Sequence, residues 1–192
     1  MNLSAVSTTQ IAIAIAVTVM VAAGIAIWSF IRKRRTERLR TQFGGTEYTR
    51  AVKEGGGRRQ AEAVLDKRAE RVEGLHIRPL GPGDRARFVE SWRRVQARFV
   101  DGPGGAVTEA DQLLGDVMST RGYPVGDFEQ RAADISVDHP SVLENFRAAH
   151  EIAVRQTRGQ ASTEELRQAM IHYRTLIEEL VAEPELAGAK AA

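Results

Sequence analysis

The chain has no cysteine. Disulfides, thiolate metal sites, a cysteine nucleophile and an acylated lipoprotein anchor are therefore excluded, and the composition is compatible with a reducing compartment. Charge is missing from residues 1–31, so all 27 basic and all 25 acidic residues follow Ile31. Also missing are a phosphate-binding loop, a dinucleotide glycine fingerprint, a Gly-x-Ser-x-Gly elbow and a His-Glu-x-x-His pair. Nucleotide hydrolases, dehydrogenases, α/β-hydrolases and zinc proteases thus lack their usual marks. The glycine triplet 55–57 precedes neither a strand nor a Lys-Ser pair and reads as a hinge. Alternating β-branched runs and Asn-Gly hairpin turns are absent after Ile31, which leaves no strand signal.

What is present first is Ile11 to Ile31, an unbroken run of 21 uncharged and almost wholly apolar residues followed at once by Arg32, Lys33, Arg34 and Arg35. As a helix rising ~1.5 Å per residue it would span roughly 32 Å, the thickness of a bilayer's hydrocarbon core. A secretory signal fits poorly, because residues 1–10 carry no positive charge and the run ends in bulky Trp28, Phe30 and Ile31. Positive residues beside a membrane helix stay on the cytoplasmic side, so the expected arrangement is an extracytoplasmic tail (1–10), a transmembrane helix (11–31) and a cytoplasmic remainder. That corresponds to a single-pass inner-membrane protein. Ala12, Ala16, Ala23 and Gly24 offer small surfaces for helix association, without a Gly-x-x-x-Gly.

Residues 32–59 hold ten basic and three acidic residues, whereas 60–192 hold 17 and 22. A positive base thus carries a mildly acidic body. Arg32, Lys33, Arg34, Arg35, Arg38 and Arg40 are expected to meet anionic lipid headgroups, each worth on the order of 1 kcal/mol; the same residues would also fix topology. Gly44-Gly45 and Gly55-Gly56-Gly57 predict breaks in any helix leaving the membrane, so 32–59 reads as a hinged tether with one short helical turn around Glu47 to Lys53.

From Arg58 onward the periodicity is helical, with Ala61, Leu65, Ala69 and Val72 on one face and Gly74 as a stop. Leu75 to Gly83 contains Pro79 and Pro82 and reads as extended, with Asp84 offered as the next N-cap. Phe88, Trp92, Val95 and Phe99 form the next stripe, followed by Val107, Ala110, Leu114 and Val117 after the glycine-rich turn at 101–105. Asp127 can cap a short helix through Ala133. His139-Pro140 opens another, with a Ser141 to Glu144 capping box and a stop at Gly159; Ser162 to Glu165 is a second box before Leu166, Met170, Tyr173, Ile177 and Leu180. The expected fold is all-α: a bundle of four to five helices over 60–182 around a shared core, with a disordered tail at 183–192.

Chemistry-bearing residues are sparse. Tyr123, Asp127, His139 and His150, with Glu144 and His172 nearby in sequence, are the candidates for a ligand-binding or enzymatic site between helices. No i, i+4 histidine pair supports a metal, and Asp127, Glu129, Asp134 and Asp138 lack the spacing of a calcium loop. No cofactor is expected. Arg85, Arg87, Arg93, Arg94 and Arg98 back the Trp92 stripe, but Glu90 and Asp101 dilute them and no aromatic residues interleave, so a solvated face is expected rather than nucleic-acid binding. The stretch from Arg121 to Pro140 is the least regular part of the body. Irregular connections in compact domains usually bind something or pack specifically, so Arg121, Tyr123, Pro124, Asp127 and Phe128 are candidate contacts for a protein partner.

The stretch RGYPVGDFEQRAADISVDHPSVLENFRAAHEIAVR, with QARFVDGPGGAVTEAD and the closing helix, resembles a group of bacterial single-pass membrane proteins of unassigned activity. The resemblance implies a membrane-anchored helical domain and brings no catalytic residues. The resulting expectation is a scaffold or interaction module at the cytoplasmic face, anchored in lipid and holding a protein partner.

Overall fold

The computed structural model describes residues 8–182, with side chains from residue 13 onward except residue 14. The tail expected at 183–192 and the first seven residues of the tail expected at 1–10 lie outside the described residues. The fold is all-α, with no strand among the described residues. In chain order the helices are α1 (Thr8–Glu54), α2 (Arg58–Glu73), α3 (Pro82–Arg98), α4 (Pro103–Arg121), α5 (Phe128–Asp138), α6 (Leu143–Thr157) and α7 (Thr163–Ala182), with a 3-10 turn at Pro140–Val142 before α6.

α1 is long and apolar enough to cross a membrane. Every described side chain from 13 to 35 is exposed, including Trp28 and Phe30. Both breaks expected in 32–59 are present, but the segments between them are packed helices rather than a loose tether. α1 continues through the arginine cluster to Phe43, roughly 18 Å beyond Ile31 at ~1.5 Å per residue, and only Gly44 departs from helical geometry, at φ 72 and ψ 158. That conformation is essentially open to glycine alone. Two helices therefore meet at Gly44, where the chain changes direction so that the Thr36 and Tyr48 hydroxyls both reach one oxygen of Glu62. The second helix runs from Gly45 to Glu54, and the turn at 55–57, where Gly56 and Gly57 have positive φ, is the second break. Packing explains why 32–43 stays helical. Leu39, Phe43, Tyr48 and Ala51 are buried in a core with Ala61, Leu65, Ala69 and Val72 of α2 and Val137 of α5. The predicted stripe of α2 is correct, but its partner is the extension of α1.

A second, larger core joins α3, α4, α5, α6 and α7. The body therefore has two cores where one was expected, and Leu75 and Ile77 in the extended link touch both. α7 packs against α3, α4 and α6, which makes it the centre of the bundle. Tyr173 is fully buried there and its hydroxyl donates to Asp111 at 3.1 Å. The predicted stripes of α4 and α7 are buried, as are Phe88, Trp92 and Val95, while Phe99 is partly so. The Ser162 box forms with both reciprocal bonds, Ser162 N–H to Glu165 at 2.8 Å and Glu165 N–H to the Ser162 hydroxyl at 3.3 Å.

Three local expectations differ. α3 starts at Pro82, because proline suits the first turn and Gly81 takes the cap position, so Asp84 lies inside the helix and accepts from Arg87. α5 runs on past Ala133 to Asp138 because Ile135 and Val137 reach the two cores. The Ser141 box does not form: the 3-10 turn occupies Pro140–Val142 and no side chain caps α6.

Gly122 ends α4 in the left-handed region, φ 102, and a Cβ there would lie 2.4 Å from the carbonyl oxygen of His76. The link it touches is held by the Arg78 N–H donating to Arg121 O at 2.8 Å. Gly122→Ala is expected to cost about 2–3 kcal/mol, from left-handed strain and the clash together. Urea denaturation of the full chain in detergent measures it, and a loss below about 1 kcal/mol would mean that the link yields freely.

Candidate functional site

The strongest concentration of unneutralised charge lies where α2 begins against the extension of α1. One cleft of about 460 Å³ is lined by Trp28, Ile31, Arg32, Arg35, Arg59 and Glu62. A second, of about 510 Å³, is lined by Trp28, Arg32, Lys33, Thr36, Arg40 and Arg58 among others. The two share Trp28 and Arg32, so they are adjoining lobes of one basic surface.

Its floor is a polar lock between the helices. Glu62 is buried, and its Oε1 accepts from the Thr36 hydroxyl at 2.7 Å and the Tyr48 hydroxyl at 2.8 Å. Burial, reinforced by Glu62, raises the Tyr48 phenol above its ordinary range. Arg35 pairs with Asp66 of α2. Among the described residues Arg32, Lys33, Arg40, Arg58 and Arg59 have no ion-pair partner. Arg32 lies over the Trp28 ring at 5.2 Å and Arg40 over Tyr48 at 5.0 Å, which fixes both guanidinium groups without neutralising them. Arg32, Lys33, Arg35 and Arg40 of the expected headgroup set thus line the lobes, while Arg34 sits over Phe30 at 4.4 Å. Arg58 and Arg59 belong to the basic segment 32–59 but are not among the expected headgroup contacts, which stop at Arg40. Their signal is two arginines opening a helix directly after three glycines.

The irregular loop is organised from inside. Arg121 is buried and donates to Leu180 O at 3.0 Å; Tyr123 is buried and donates to Asp138 at 2.9 Å. Asp127 caps α5 by accepting from the Gln130 N–H at 2.8 Å. Phe128 stacks on His150 with ring centroids 3.6 Å apart and packs against Phe146 at 4.8 Å. Pro124 is half-buried, and the outward residue is Val125, 86% exposed.

The four residues of the alternative site do not meet. Asp127 and the His150–Phe128 stack mark the start of α5, whereas Tyr123 reaches Asp138 at its end and His139 Nδ1 lies 3.4 Å from Glu179. An 11-residue helix separates its ends by about 15 Å. His172 faces Asn145 instead, at 2.8 Å. Among the described residues no group of three or more His, Asp or Glu side chains is placed to hold a metal.

Comparison with known protein families, curated proteins and solved structures returns no match. Any functional reading therefore rests on the geometry of this chain.

Desolvation beneath Phe128 lowers the His150 pKa below 6.5. The folded state then binds fewer protons than the unfolded one, so this histidine withdraws stability as pH falls through 6.5 toward the lowered value. His150→Gln is expected to flatten the acid side of the stability profile. Urea midpoints at pH 7.5 and 5.5 for both proteins measure this, and parallel losses in the two would contradict it.

Proposed function

We propose that the protein is a single-pass membrane scaffold, with the 11–31 segment of α1 in the bilayer, the body on the cytoplasmic side and the 121–127 loop presented to a protein partner. One observation carries the reading: a helix whose described apolar side chains are exposed all round runs without a break into the core of a folded body. Such a surface is tolerable only in lipid or against another protein. The positive cluster directly after Ile31 supports the cytoplasmic side.

The loop suits recognition because its anchors point inward. Arg121, Tyr123 and Phe128 hold it from inside, so the outward contact residues are Val125 beside Pro124 and the exposed cap Asp127. A loop already ordered loses little entropy on binding.

The cysteine-free sequence makes topology directly measurable. In intact cells an impermeant maleimide is expected to label Ser4→Cys and to leave Val125→Cys untouched until the membrane is permeabilised. The reverse pattern would invert the topology, and release of the protein by alkaline carbonate would remove the membrane reading. For the partner, a photo-crosslinker at Val125 is expected to give one discrete adduct. Val100, 84% exposed at the other end of α4, serves as the control. Equal diffuse adducts from both positions would sink the scaffold reading.

A further inference from the structure

We infer that the two-lobed basic surface at the α1–α2 junction is a headgroup site for an anionic phospholipid, and that it selects a lipid carrying two phosphates over one carrying a single phosphate. The inference rests on α1 being in the bilayer.

Position comes first. Trp28 walls both lobes, and in a membrane helix an indole three residues before Ile31 sits at headgroup depth. A phosphate bound at the Trp28 end of either lobe would therefore lie at the lipid surface.

The charge is assembled by the fold. Together the lobes gather six cations, Arg32, Lys33, Arg35, Arg40, Arg58 and Arg59, against the carboxylates Glu37 and Glu62. Asp66 pairs with Arg35, and Glu37 and the hydroxyl-bonded Glu62 offset part of the remainder, which leaves the six cations in excess over these three carboxylates. Like charges drawn from two helices onto one exposed surface repel one another unless an anion lies between them. α2 adds to this. No side chain caps its N-terminus, because Gly57 occupies the cap position, and Arg58 and Arg59 are its first two residues. The amide groups of that turn and the two arginines favour the same ligand, a phosphate.

The division into two lobes sets the class. One lobe is lined by Arg32, Arg35 and Arg59, and the other by Lys33, Arg40 and Arg58, with Arg32 shared between them. One phosphate satisfies one lobe. Two phosphates linked through a short polyol satisfy both while their acyl chains remain in the bilayer beside Trp28 and Ile31.

The test uses the full chain in nanodiscs of neutral lipid doped with either cardiolipin or phosphatidylglycerol at equal total charge, with retained lipid counted by native mass spectrometry. Wild type is expected to retain cardiolipin selectively. Arg58→Gln with Arg59→Gln, both exposed positions, is expected to reduce that retention roughly tenfold, while Arg93→Gln with Arg94→Gln on α3 leaves it unchanged. Thermal unfolding of each protein in detergent verifies folding, and lysine at both positions should restore retention if charge is what matters. Equal retention of the two lipids, or no change in the Arg58/Arg59 variant, overturns the inference while leaving membrane insertion intact. Displacement of the lipid by millimolar glycerol phosphate would show a site for free phosphate and overturn it as well. Failure of the chain to enter nanodiscs would instead remove the membrane reading beneath it.

Discussion

Glu47→Ala is expected to destabilise the full-length protein by about 3–5 kcal/mol, the range for removing one partner of a buried ion pair. The Glu47 side chain is only 4% exposed, 2.8 Å from Arg68 Nη1 and 3.2 Å from Arg147 Nη2. Its loss leaves two guanidinium groups facing each other in a poorly solvated space, and neither can shed its charge at neutral pH. The cost therefore exceeds that of a missing hydrogen bond. Because Arg68 belongs to α2 and Arg147 to α6, this carboxylate fastens the segment after the Gly44 bend to both halves of the body. Glu47→Gln should fall between wild type and alanine, since an amide oxygen still accepts from one arginine. Urea unfolding of the three proteins in detergent measures the order. A loss under about 1 kcal/mol in the alanine variant, the scale of an exposed pair, would show that water reaches the site.

Phe43→Ala is expected to cost about 3–5 kcal/mol, by lost burial and the cavity left behind. Phe43 is 1% exposed and one of the largest side chains in the smaller core. That core has few residues to collapse into the space, so the damage should be local. The expected pattern is early protease cleavage at the 55–57 turn while the larger core stays folded. Leu114→Ala, in the larger core, should instead lower the main transition. If both variants unfold in one shared step with equal protease sensitivity, the two cores form a single cooperative unit.

The bundle was largely legible because amphipathic periodicity reports burial directly. Phe88, Trp92 and Val95, or Met170, Tyr173 and Ile177, lie at spacings that only one helical face satisfies, and all are buried. The Ser162 box was legible for the same reason, being local. The stretch after the apolar segment was legible only in its breaks. Its arginines and glycines dominate any reading by composition, yet Leu39 and Phe43, one turn apart, decide its structure by packing on α2. The glycines do break the helix where they were expected to, at Gly44 and at 55–57, but burial keeps the segments on either side of Gly44 helical and packed. Glu47 could not have been singled out, since its partners lie 21 and 100 residues away along the chain. Arg58 and Arg59 acquire meaning only once α2 is laid against Trp28 and Arg32.

The uninterrupted helix from the apolar segment to Phe43 also gives the body an azimuth. Each residue of an α-helix turns the chain by about 100°, so, with the apolar segment in a bilayer as proposed, the number of residues between Ile31 and Leu39 would set the compass direction in which Val125 points within the plane of the membrane. One alanine inserted there would swing the whole body about a third of a turn around its anchor, and seven would bring it nearly back into phase. Neighbours fixed in the same bilayer would therefore read this protein by the length of its stem as well as by its surface.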